Sequence, residues 1–140
     1  MRKISCVVLL LMCFTVSAQV SYEEIQINCS QARDGKYIIT THKEYQALID
    51  NRSSHPNCSG YTFPEIDFTS YTLIGFVAGV KGCYSPLVNI DYSTNGEDCE
   101  VDLNISTRGL CKMKNMVVKW LLIPRTPKAN IQLEIKIREE

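Results

Sequence analysis

Tyr71-Thr72-Leu73-Ile74-Gly75-Phe76-Val77-Ala78-Gly79-Val80 is the stretch on which the architecture turns. It carries no charge and is almost continuously apolar, which suits a central strand covered on both faces. Gly75 and Gly79 within it permit a neighbour's close approach or a bend. Downstream the pattern stays that of strands. Leu87–Tyr92 is followed by Asn95-Gly96, a hairpin signal. Cys99, Val101, Leu103 and Ile105 then alternate with Glu100, Asp102 and Asn104, so that strand has one wet face. After a turn at Thr107-Arg108-Gly109, Met116, Val118, Trp120 and Leu122 form an apolar row opposed by Asn115, Val117, Lys119 and Leu121. Trp120 sits among apolar neighbours and reads as core. A loop from Pro124 to Asn130 precedes the cleanest alternation of all, Ile131, Leu133, Ile135 and Ile137 against Gln132, Glu134, Lys136 and Arg138.

Upstream, Ser21–Asn28 reads as a short strand, Asp34-Gly35 as a turn and Lys36–Thr40 as a second strand. Thr41-His42-Lys43-Glu44 is a capping box. Tyr45, Leu48 and Ile49 recur at helical spacing after it, predicting a helix of about ten residues with one buried stripe. Asn51–Gly60 is a polar loop. The sum is an α+β fold, a mainly antiparallel sheet of about six or seven strands with one short helix packed on one face.

The N-terminus places this domain in its compartment. Arg2 and Lys3 precede an apolar run from Ile4 to Val16, and Val16-Ser17-Ala18 is a small-residue cleavage site. That is the layout of a signal peptide over residues 1–18, cut at Ala18-Gln19. The run is too short for a membrane-spanning helix, which needs about 20 residues. Met12 before Cys13 argues against a lipoprotein. Residues 19–140 are thus expected to be one exported domain, periplasmic or extracellular. Without Arg2 and Lys3 it holds 13 cations against 15 acids, and over the whole chain no block reads as sign-biased. Such a balance gives no ground for nucleic acid as a partner or for a polybasic membrane surface.

Of seven cysteines, Cys6 and Cys13 leave with the signal, and Cys29, Cys58, Cys83, Cys99 and Cys111 remain. No pair is spaced for a metal, and no metal or other cofactor is expected. Cys83 and Cys111 flank the Leu87–Ile105 hairpin, whose antiparallel strands bring its ends together, so they are the favoured bridge. Cys29 with Cys58 is the second candidate, both lying in polar loops at element ends, though the sequence alone does not select among the fifteen arrangements that two bridges among five cysteines allow. Cys99 falls in phase with Val101 and Leu103 and reads as a buried, inert thiol. Catalytic thiol chemistry would need an imidazole beside a cysteine. Neither His42 in the helix's first turn nor His55 before Pro56 is placed to supply one, so no catalytic residue is assigned. Glu65 and Asp67 form no acid/base pair, and Asp67 is expected to cap a turn before Thr69-Ser70. Asn28, Asn51, Asn57 and Asn104 head glycosylation sequons, which carry weight only in a eukaryotic source.

Several segments together resemble the PrcB-like domain family, named for an accessory subunit of a secreted bacterial protease complex. They are Thr41–Leu48, Phe63-Pro64-Glu65-Ile66-Asp67-Phe68, Tyr71–Gly75, Gly82-Cys83-Tyr84-Ser85 and Trp120-Leu121-Leu122-Ile123-Pro124. The likeness spans residues 36–137. Cys83 stands where the family has a second glycine, and Arg125 where lysine is common. The resemblance implies a non-enzymatic exported domain that binds or stabilises a protein partner, a protease among the candidates. The loop Lys81-Gly82-Cys83-Tyr84-Ser85-Pro86 is the best candidate surface, its binding residues being Lys81, Gly82, Tyr84 and Ser85. By analogy with the Gly-Tyr turn of chagasin-like inhibitors, the same loop supports a protease-inhibitor alternative. Tyr61 and Phe63 form a second aromatic candidate, with the end of the core as Phe63's other possible place.

Overall fold

The structure is a computed structural model that describes residues 21–29, 33–53 and 56–139. The signal peptide with its Ala18-Gln19 site lies outside the described residues, and so does His55. Seven strands and one helix follow in the order β1 (Glu23–Ile25), β2 (Gly35–Ile39), α1 (His42–Ser53), β3 (Tyr71–Lys81), β4 (Leu87–Asn95), β5 (Asp98–Thr107), β6 (Lys114–Pro124) and β7 (Ile131–Glu139).

β3 is the spine. From Thr72 to Val80 every residue except Gly79 is buried, as an uncharged run with two dry faces requires. It pairs antiparallel with β6 along its entire length, from Tyr71 opposite Pro124 to Lys81 opposite Lys114. β2 and β1 complete a four-stranded sheet in the order β1-β6-β3-β2. The remaining strands form a second, three-stranded sheet, β4-β5-β7. The single sheet suggested by the strand count is therefore divided in two. Its pairings are antiparallel except β5 with β7, which run parallel. Parallel neighbours need a crossover, and here it is made by β6, which lies in the other sheet.

The two sheets face one another. Ile74, Phe76, Ala78, Val80, Val117, Leu121 and Ile123 from the first meet Cys99, Val101, Leu103, Ile105 and Ile131 from the second. The other face of the four-stranded sheet carries Leu73 and Trp120, which pack with Ile27, Ile39, Tyr45 and Phe68. The helix covers that face through Tyr45, Leu48 and Ile49, the stripe its periodicity predicts. Each large apolar side chain removed from water contributes about 1.5–3 kcal/mol, so both faces of the spine hold the fold together.

Local signals behave as their chemistry dictates. Thr41 Oγ1 accepts from Glu44 N (3.3 Å), as an N-cap should. Glu44 reaches one residue further back than a capping box implies and accepts from Thr40 N (2.9 Å). Asp67 takes Thr69 N (2.9 Å) and Ser70 Oγ (2.8 Å), the expected turn cap. Gly96 opens the two-residue β4–β5 turn with φ +63°, where L side chains are disfavoured. β1 is shorter than Ser21–Asn28, because beyond Ile25 the chain leaves the ladder. Ile27 then enters the core, and Asn28 N donates to Tyr61 Oη (3.1 Å).

Candidate binding site

Three connections pass from one sheet to the other, and two of them lie at the same end of the sandwich. The corner from β3 to β4 spans residues 82–86, and the corner from β5 to β6 spans residues 108–113. The register explains their meeting. β3 and β6 end together at Lys81 opposite Lys114, while β4 and β5 end together at Leu87 opposite Ser106. The Cys83–Cys111 bridge, with Cα atoms 4.8 Å apart, ties the two corners. Cys29 and Cys58 form the second bridge at 5.4 Å, and Cys99 is a buried free thiol. Both bridges match the pairs favoured from the sequence, and Cys99 is the thiol left over among the described residues.

The tied corners are held by more than sulfur. Gly82 N donates to Met113 O (3.2 Å), and Cys83 N donates to Arg108 O (2.8 Å). Asn115 Nδ2 lies over Gly82 O (3.4 Å) and Tyr84 O (3.5 Å). Gly109 adopts φ +83°, and a β-carbon there would stand 2.5 Å from Cys83 Sγ. Only glycine allows both the turn and this approach. The two corners are therefore tied to one another at several points.

Its surface is apolar and basic. Tyr84, Leu87, Leu110, Met113 and Met116 are each half or more exposed, and Leu110 is wholly so. Among the described residues the remaining exposed large apolar side chains are Tyr71 and Ile137. Around them stand Lys81, Arg108, Lys112 and Lys114, all exposed. Lys114 lays the end of its side chain across Gly79, where Asp34 also approaches. The impression that no block is sign-biased is corrected here, since six cations and no acid lie between Asp102 and Glu134. Averaging over the chain hides this, and the fold concentrates the effect by bringing Lys81 to Lys114.

Of the residues expected at the site, Lys81, Gly82, Tyr84 and Ser85 occupy the first corner. Gly82 is buried there as its backbone anchor, while the other three are exposed. Tyr61 and Phe63 are not gathered with them by any contact of their rings. Their rings meet edge-to-face at 4.9 Å and pack on the helix-side core. Tyr61 Oη donates to Gln26 O (3.2 Å), which fixes the segment after β1. Leu110, Met113 and the Arg108–Lys114 cations escaped a reading by periodicity, because corner residues follow no period. The signal available was the pairing of Cys83 with Cys111, which makes whatever flanks one cysteine a neighbour of whatever flanks the other.

A concavity lies elsewhere, where β4 turns into β5 and β6 ends. This cleft of about 360 Å3 is lined by Tyr92, Thr94, Cys99, Arg125 and Thr126 among others. Burial pushes the Cys99 thiol up from its ordinary value and the Tyr92 hydroxyl up to about 12. A raised thiol pKa disfavours the thiolate that nucleophilic chemistry needs. Among the described residues the one histidine is His42, exposed at the start of the helix. Those residues include no group of three or more His, Cys, Asp or Glu that could hold a metal. None of their helices is long and apolar enough to cross a membrane. No protein-family model, curated protein or solved structure matches the chain.

Proposed function

We propose that this chain is an exported, non-catalytic protein-binding domain, and that its docking surface is the pair of disulfide-tied corners, residues 81–87 and 108–116. One observation carries the reading. Three large apolar side chains, Tyr84, Leu110 and Met113, are held in water on corners fixed by a bridge, four hydrogen bonds and a glycine that tolerates no substitute. Exposed apolar area is unfavourable at about 25 cal/mol per Å2, and contiguous patches of it mark interaction sites. Rigidity removes much of the ordering entropy that association otherwise costs. Export accords with the leader and with two disulfides. The resemblance to PrcB-like domains supports an accessory or stabilising role beside a secreted protease.

The test is affinity capture from the culture fluid of the source organism, with wild type and a Tyr84→Ala/Leu110→Glu variant of equal melting temperature. A protease-containing partner held by wild type and released by the variant is expected. Equal retention by both, or nothing retained, would sink the proposal.

A second reading, direct protease inhibition, draws on one feature. Tyr84 follows the anchored Cys83 directly and stands exposed, its carbonyl beside Asn115. A braced loop of that kind can enter a cleft without being cut quickly. Inhibition of every protease tested surviving Tyr84→Ala unchanged would dispose of it. A thiol enzyme acting through Cys99 is the least supported, given that thiol's burial and raised pKa.

A further inference from the structure

We infer that the partner presents an acidic surface to this site: apolar residues interleaved with carboxylates, which the tied corners receive between Lys81, Lys112 and Lys114. The inference rests on reading the corners as the docking surface and adds the chemistry of what docks. Its ground is the way the fold sorts its cations. Away from this end, those of the acid-free segment are answered within the molecule. Lys119 pairs with Glu24, Lys128 pairs with Glu44, and Arg125 Nη1 donates to Phe68 O. At this end Lys81, Lys112 and Lys114 are exposed around the apolar side chains. Among the described residues, Asp34 comes beside Lys114, and Glu139 lies opposite Thr107 at the end of β7.

Charge decides among occupants. A second copy meeting the first about a two-fold axis would set lysine against lysine, which like-charge repulsion disfavours. A purely apolar partner would bury Leu110 and Met113 but would leave the neighbouring ammonium groups without a counter-charge. An acidic, apolar surface satisfies both sets at once. Because the cations ring the patch and remain partly wet, they act mainly on encounter rate and specificity, and salt should weaken them.

The probe is a displayed library of random linear peptides, selected on immobilised wild-type protein. Enriched peptides should carry Asp or Glu beside Leu, Phe or Trp. Their affinity should fall by about tenfold or more in a Lys81→Glu/Lys112→Glu/Lys114→Glu variant, and also on raising salt. All three side chains are exposed, so the variant should fold, and an unchanged melting temperature verifies it. Lys→Gln at the same positions should give a smaller loss. Peptides without an acid excess that ignore the reversal but are lost on Leu110→Glu would overturn the acidic chemistry and spare the docking surface. Peptides indifferent to both variants, or no enrichment at all, would overturn the docking surface as well. Binding instead to vesicles containing an anionic phospholipid, abolished by the reversal and with no peptide selected, would make the occupant a membrane and refute the inference.

Discussion

Gly75→Ala and Gly79→Ala make the sharpest test of how this sandwich is packed. The two glycines lie four residues apart on the helix side of β3, and a β-carbon at either would collide. At Gly75 it would stand 2.3 Å from Trp120 Cζ3 and under 3 Å from two more ring carbons. At Gly79 it would stand 2.1 Å from Lys114 Cε. What is struck decides the outcome. Trp120 is fully buried, with Tyr37 packed on it at 5.8 Å, and Gly75 is held between Tyr37 and Trp120 in the ladder. Neither strand nor ring can yield. Overpacking of that kind costs about 1–3 kcal/mol, at times more, while replacing a strand glycine by alanine returns about 0.5–1 kcal/mol. The net expectation for Gly75→Ala is a loss of about 2 kcal/mol, or about 8 °C in Tm for a domain of this size. Lys114 is the far end of a flexible chain on the surface and can swing away. Gly79→Ala should therefore lie between neutral and a gain of about 1 kcal/mol. Urea unfolding followed by circular dichroism measures both. Trp120→Phe combined with Gly75→Ala should recover part of the loss, with a coupling above about 1 kcal/mol. Equal effects at the two glycines, or Gly75→Ala within about 0.5 kcal/mol of wild type, would refute the argument.

Removing the corner bridge by Cys83→Ser/Cys111→Ser should cost about 3–4 kcal/mol in the chain-entropy model, given a sequence separation of 28, read from the urea midpoint. Acid should weaken the fold through Glu44, whose pKa the Lys128 ammonium and then Thr40 N–H lower from 4.5 to about 2. Its folded pKa lies below the unfolded one, so its contribution is complete above pH 4.5 and disappears as pH falls towards about 2. Glu44→Gln should flatten stability across that window, and an unchanged slope would count against the Lys128 contact. Within residues 19–140, a thiol reagent should modify no cysteine of the native protein and label one, Cys99, once it is denatured without reductant. Prompt labelling of the folded protein, quantified by mass, would contradict the burial assigned to it.

Much of the fold could be read along the chain because local chemistry dictates it. Alternation in β5 and β7 marks the dry side of each strand, and the uncharged run of β3 marks a strand with no wet side. Thr41 and Glu44 announce where the helix begins, and Asp67 where the chain turns. The Cys83–Cys111 bridge could be favoured because the two cysteines flank a hairpin, while the full pairing stayed open until the fold was known. Alternation is silent, however, on what covers the dry side. Ile105 and Ile123 show the same pattern whether the neighbouring strand lies in their own sheet or in the one opposite. The division into two sheets and the parallel pairing of β5 with β7 therefore emerged only from the three-dimensional packing.

The candidate site follows the same rule. Composition by itself determined that the chain can build an ordinary apolar core and carry two disulfides, and the apolar N-terminal run supports the expectation of export, since none of these depends on how the strands are connected. The meeting of the two corners, with Tyr84 on one and Leu110 and Met113 on the other, and of Lys81 with Lys114, was decided by tertiary structure alone. Corner residues carry no periodicity, and their neighbours come from another sheet, so their chemistry becomes a surface only where β3, β4, β5 and β6 end together.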